Sequence, residues 1–113
     1  MKDRSLYRLG DMDEAITQIV SLLSGKSMED LFKQSVMRAA FERFLEVMSE
    51  ASRHVPSEWQ NEYPDVEWRK IADLGNHLRH AYHKTDYELL WRVYEFELPR
   101  LQEVVKKLLA SKR

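Results

Sequence analysis

The chain contains no cysteine, only three glycines and three prolines, no excess charge of either sign, and no apolar run long enough to span a bilayer. Without cysteine there is no disulfide framework, no thiolate nucleophile and no thiolate-held metal. Scarce glycine and proline exclude collagen-like and low-complexity chains. A membrane-spanning helix needs about 20 consecutive apolar residues, and the opening stretch MKDRSLYRLGDMDEA carries no apolar signal segment either. A cytoplasmic protein without a membrane partner is expected. Lysine and arginine number 18 against 19 acidic residues, a net charge of −1. Proteins that coat nucleic acid non-specifically are strongly basic, so any nucleic-acid contact here has to come from a local patch.

Within 113 residues, 43% hydrophobic and 33% charged, there is material for one domain, 1–113, with a core that needs no metal or cross-link. The apolar period is helical throughout. Leu9, Met12, Ile16, Ile19 and Leu23 recur at three- and four-residue steps. Gly25 suits the residue just past a helix end, and Ser27 an N-cap followed by Glu29 and Asp30. Met37, Phe41, Phe44, Met48, Ala51 and Val55 form the stripe of a long second helix, which Pro56 stops. Asp65 is the expected cap of a third helix running to about Tyr82, and Asp86 that of a fourth. The fourth carries Tyr94, Leu98, Leu101, Val105 and Leu108, with Pro99 expected to kink or split it. These features predict an all-α fold: a compact antiparallel bundle of four main helices.

The third helix carries the chemistry. Three of the four histidines, His77, His80 and His83, fall within seven residues. On a continuous helix of 3.6 residues per turn, Ile71, Leu74, Leu78 and Ala81 share one face, flanked by Trp68 and Tyr82. Arg69, Asp73, Asn76, Arg79, His80 and His83 take the other, with Lys70 and Lys84 near its ends. Three readings stand open. An imidazole can serve as base toward a ribose 2′-hydroxyl or as acid toward a leaving oxygen, while arginine and asparagine stabilise charge on phosphate. The His77/His80 and His80/His83 spacings, with Asp73 nearby, also suit a metal site, though no HExxH arrangement supports one. The third reading is a solvated face that happens to be rich in histidine.

Longer segments resemble one family. Arg43–Ala51 is similar to the NLEIIGEA segment of the HepT-like ribonucleases of the HEPN superfamily, and Tyr63–Arg69 to their YPxIPW segment. Asn76, His80 and Tyr82 match the family's R-N-x3-H-x-Y signature in spacing, and Asp86, Trp91, Leu98, Pro99 and Leu101 match the family segment C-terminal to it. Two positions depart: Gly75 stands where the signature arginine would, and Glu67 where a proline precedes the tryptophan. Arg79 lies one turn beyond Gly75, and helical side chains lean toward the N-terminus, so its guanidinium is the expected substitute.

The resemblance implies a metal-independent endoribonuclease, the toxin of a toxin–antitoxin pair, working without a cofactor. It implies that His80 is the catalytic histidine, with Asn76 beside it. Tyr82 would be the tyrosine that a nucleotidyltransferase antitoxin modifies with AMP. It also implies a homodimer, in which two copies of Arg69, Lys70, Arg79 and Lys84 would line one RNA-binding groove. His77 and His83 match no family position. The competing expectation is a HEPN-fold module that lost activity with its arginine and binds a nucleotidyltransferase partner or a nucleotide.

Overall fold

The computed structural model describes residues 4–113; Met1–Asp3 of the expected 1–113 domain lie outside the described residues. The elements in order are α1 (Ser5–Leu23), α2 (Met28–Lys33), α3 (Ser35–Ser52), α4 (Ser57–Gln60), α5 (Trp68–Arg79), α6 (Lys84–Arg92), a π-helical segment (Val93–Glu97) and α7 (Leu98–Lys112). No strand occurs among the described residues, and the fold is all-α as expected. α1 packs between α3 and α7, α3 carries α5 on its other side, and α2 bridges α3 and α6.

The stripe read in α1 is the stripe that is buried: Leu9, Met12, Ile16, Ile19 and Leu23. Each such side chain contributes about 1.5–3 kcal/mol through removal of apolar surface from water. In α3 the buried set is Met37, Phe41, Leu45, Met48 and Ala51, while Phe44 is only half-buried. From α7, Leu98, Leu101, Val104, Val105, Leu108 and Leu109 complete the core.

Four expected boundaries are corrected, two of them alongside contacts from other helices and two within the turn between α5 and α6. The second helix is two helices, broken at Gln34 between α2 and α3. Ser27 caps α2 as its sequence suggests, accepting from the Asp30 backbone at 3.1 Å while Asp30 accepts from Ser27 N at 2.9 Å. At the other end of α2, Arg38 reaches back from α3 to the carbonyl of Phe32, and its guanidinium lies 5.7 Å from the ring centroids of both Phe32 and Tyr87. That clamp supplies a partner for a carbonyl that the broken helix leaves open.

Asp65 does not cap α5, which begins at Trp68 with Glu67 before it. The Asp65 carboxylate is held instead by Arg100 of α7, at 2.8 Å from Nε. The Trp68 indole N–H donates to the Tyr63 carbonyl at 3.1 Å and closes the intervening turn. Nor does α5 reach Tyr82. It ends at Arg79, and His80 sits at its C-cap with φ −121° and ψ 20°.

Asp86 is not the residue before α6 but its third residue, with His83 at the N-cap. Its Oδ2 accepts from the backbone N–H groups of Tyr82 and His83 at 2.9 and 2.8 Å. Pro99 splits the last helical run, as expected. Lacking an N–H and crowding the carbonyl four residues back, it follows a π-helical turn in which Leu98 N–H bonds to the Val93 carbonyl.

Candidate active site

The position of α5 is set by small residues. The buried Ser49 of α3 donates its hydroxyl to the Ala72 carbonyl of α5 at 3.0 Å, and Arg53 donates Nη2 to the same oxygen at 2.9 Å. Ser52, also buried, turns its hydroxyl to the Ser49 carbonyl at 2.6 Å. Facing them, Gly75 has an ordinary helical φ, and a Cβ built there would meet nothing closer than Ser49 Oγ at 4.0 Å. Glycine is therefore not required by the backbone. It leaves a bare patch where most residues would place a side chain.

That patch is one wall of a cleft of about 500 Å³ between α1, α3 and α5. Arg8 and Asp11 of α1, Arg43, Glu46 and Glu50 of α3, Arg53 just beyond it, and Arg79 of α5 supply its charged groups. Four arginines face three carboxylates. Arg43 is drawn to Glu46 in an ion pair, and Arg53 Nε lies 3.9 Å from Glu50. The lining is therefore of mixed sign with an excess of one positive charge, and among the described residues neither Arg8 nor Arg79 is ion-paired within it.

Arg79 and Gly75 border the same cleft, one turn apart on α5. The Arg79 guanidinium donates Nη1 to Asn76 Oδ1 at 2.9 Å, leaving its other N–H groups for a further acceptor. His80 follows directly and is exposed. The Tyr82 side chain, 74% exposed, donates its hydroxyl to the Arg79 carbonyl at 3.1 Å. Asn76, Arg79, His80 and Tyr82 therefore gather at the C-terminal end of α5, linked through Arg79. In chemical terms the end of α5 offers an exposed imidazole on the residue that follows a guanidinium whose orientation is already constrained by an amide. Those are the groups general acid–base chemistry at a phosphate calls for.

The other candidates lie elsewhere. Because the helix stops at Arg79, His80 and His83 do not continue the polar face drawn for an unbroken helix. Arg69, Lys70 and His77 border a separate open groove with Trp68 and Asp73. Lys70 is paired there with Glu97 at 2.7 Å, which holds its ammonium above the usual lysine range. Lys84 pairs with Glu29 of α2 and is likewise raised, chiefly through the hydrogen bond to that carboxylate. Among the described residues no three of His, Asp and Glu converge as metal ligands.

Arg8, Ser49 and Arg53 were not singled out from the sequence. A signal existed: Arg43, Glu46, Glu50 and Arg53 step by three and four along α3, a continuous charged face. What could not be read is that Gly75 lies opposite it.

Fold and cleft together define an all-helical protein with a polar helix end beside an arginine-containing recess of mixed charge. The family described as Ribonuclease HepT-like matches residues 12–108, nearly the whole chain. The chain belongs to the HepT-like ribonuclease family. It is 32% identical over 95 residues to "Putative RNase TTE0752" of Caldanaerobacter subterraneus subsp. tengcongensis, covering 84% of this chain and 85% of that one. It is 31% identical over 100 residues to "Probable ribonuclease HepT" of Thermococcus cleftensis, covering 88% and 91%. To "Putative RNase MJ1380" of Methanocaldococcus jannaschii it is 28% identical over 98 residues, covering 87% and 90%. No solved structure matches the chain significantly.

Proposed function

We propose that this protein is a metal-independent endoribonuclease acting as the toxin half of a toxin–antitoxin pair. The observation that carries the reading is the Arg79–Asn76 hydrogen bond next to the exposed His80, beside the cleft that Gly75 leaves open. Neutral His80 takes the proton of a ribose 2′-hydroxyl. The 2′ oxygen bonds to phosphorus, the bond to the 5′ oxygen breaks, and that oxygen leaves with a proton returned by the imidazolium. The products are a 2′,3′-cyclic phosphate and a 5′-hydroxyl. Arg79 stands in for the signature arginine and neutralises the phosphate as negative charge accumulates. Asn76 fixes the guanidinium plane.

Two chains pair so that both helix ends face one RNA groove; Arg69 adds charge only where the neighbouring groove meets it, and Lys70 and Lys84 reach RNA by exchanging Glu97 and Glu29 for phosphate. Tyr82 is the acceptor of AMP from a nucleotidyltransferase antitoxin; the outward position of its side chain supports access by such a partner. The protein acts in the cytoplasm.

The direct test is incubation of the pure protein with RNA in the presence of a chelator. Cleavage is expected, falling about 10²–10⁴-fold in His80→Ala. A second reading, a binding module without catalysis, is favoured by the absent signature arginine. RNA left intact at every pH, with or without metals, together with a stable nucleotidyltransferase complex, would establish that reading instead.

A further inference from the structure

The cleft beside Gly75 is larger than a single phosphate needs. At about 500 Å³ it lies within the range of sites that enclose small ligands. Val47 supplies an apolar surface, the glycine a bare wall, and Arg8 and Arg53 bring positive charge from two other segments, against Asp11, Glu46 paired with Arg43, and Glu50 at 3.9 Å from Arg53. Arg79 belongs both to this cleft and to the helix end where His80 stands. We propose that the cleft is a nucleotide subsite of the RNA strand: it seats one nucleotide flanking the scissile phosphate, with that nucleotide's phosphate on Arg8 and Arg53.

The assignment rests on the ribonuclease reading above and adds a place for the strand that the helix end alone lacks. Arg53 is anchored through one nitrogen on the Ala72 carbonyl, so its fork is oriented before a ligand arrives and loses less freedom on binding. The planar guanidinium groups also offer faces on which a base can stack. With an arginine at 75 the same space would hold a side chain. The substitution that removes the signature arginine thus creates the room.

The test uses a 2′-O-methyl oligonucleotide, which binds but cannot be cleaved, followed by fluorescence anisotropy across a salt series. Arg8→Gln is expected to weaken binding several-fold and to lower the salt slope by about one. Gly75→Glu places a carboxylate in the cleft at a helical position with space for it, and is expected to weaken binding at least ten-fold without lowering Tm. Ala110→Glu, an exposed site outside the cleft with the same charge change, is expected to bind like the parent protein. Affinity and salt slope unchanged in both Arg8→Gln and Gly75→Glu would overturn the subsite. Binding of free AMP without binding of the oligonucleotide would overturn it too, in favour of a mononucleotide site. The two readings fail separately: RNA cleavage that persists in His80→Ala removes the catalytic assignment, whereas His80-dependent cleavage with binding indifferent to residues 8 and 75 removes only the subsite.

Discussion

The carboxylate of Asp86 holds the backbone N–H of Tyr82 at 2.9 Å, and the same oxygen holds that of His83 at 2.8 Å. These two bonds pin the start of α6 against the turn that leaves α5, and so set where the chain goes directly after His80. They also hold the Asp86 carboxyl below the usual aspartate range, the His83 bond contributing most.

Acid is therefore expected to loosen this turn. A carboxyl whose folded pKa is depressed contributes stability that is complete above its unfolded value, about 3.9, and is lost as pH falls through the folded value. Hydrogen exchange at the Tyr82 and His83 amides should be slow relative to the intrinsic rate at the same pH near neutrality and approach that rate below about pH 4. Asp86→Ala should show the fast exchange at every pH and reduce RNA cleavage. If the two amides exchange alike in both proteins, the pin is not what orders the turn.

Gly75 should be replaceable by alanine with a gain in stability. Its φ is ordinary, the added methyl meets only Ser49 Oγ at a comfortable 4.0 Å, and glycine inside a helix costs about 0.5–1 kcal/mol relative to alanine. Chemical denaturation of Gly75→Ala should show a higher midpoint with an unchanged m-value. A lower midpoint would mean that α3 and α5 need closer contact than the cleft implies.

Ser49 should matter to the fold rather than the chemistry. Removing its hydroxyl takes one of two donors from the Ala72 carbonyl, and Ser49→Ala is expected to cost about 1 kcal/mol. Ser49→Leu, which forces bulk into the α3–α5 contact, should cost about 1–3 kcal/mol. Thermal unfolding of the pair checks the order.

Arg79→Ala is expected to cut RNA cleavage by about 10²–10³-fold, the usual effect of deleting a donor to a developing anion. The side chain is exposed, so Tm should hold. Undiminished cleavage in a folded variant would remove Arg79 from the mechanism and turn attention to the arginines of α1 and α3.

Much of the fold was legible because its signals are local. The buried stripe of α1 lies in five residues of one helix, and the Ser27–Asp30 capping box spans four positions. The boundaries that differ share another cause. Asp65 and Asp86 are both good N-cap residues by type, yet Arg100, 35 positions away, claims the first, and the second caps from inside its helix. The break at Gln34 contains neither glycine nor proline and depends on Arg38 folding back over Phe32 and Tyr87. Asn76, Arg79, His80 and Tyr82 stand out as a candidate group in the sequence because they lie within seven residues. The cleft does not, since it needs α1 and α3 to arrive at Gly75 from distant parts of the chain.

The π-helical turn before α7 has a bearing on which lengths this chain tolerates. Its wider turn takes up an extra residue, so α7 keeps the angular setting that an uninterrupted α-helix one residue shorter would give it. Deleting one residue between Val93 and Glu97 would let ordinary winding resume with Leu101, Val105 and Leu108 still facing the core, whereas removing one from the regular turns of α7 would rotate everything after it by about 100°. The segment thus acts as a phase corrector: a one-codon deletion is absorbed there and disrupts the C-terminal core packing when it falls a turn or two later.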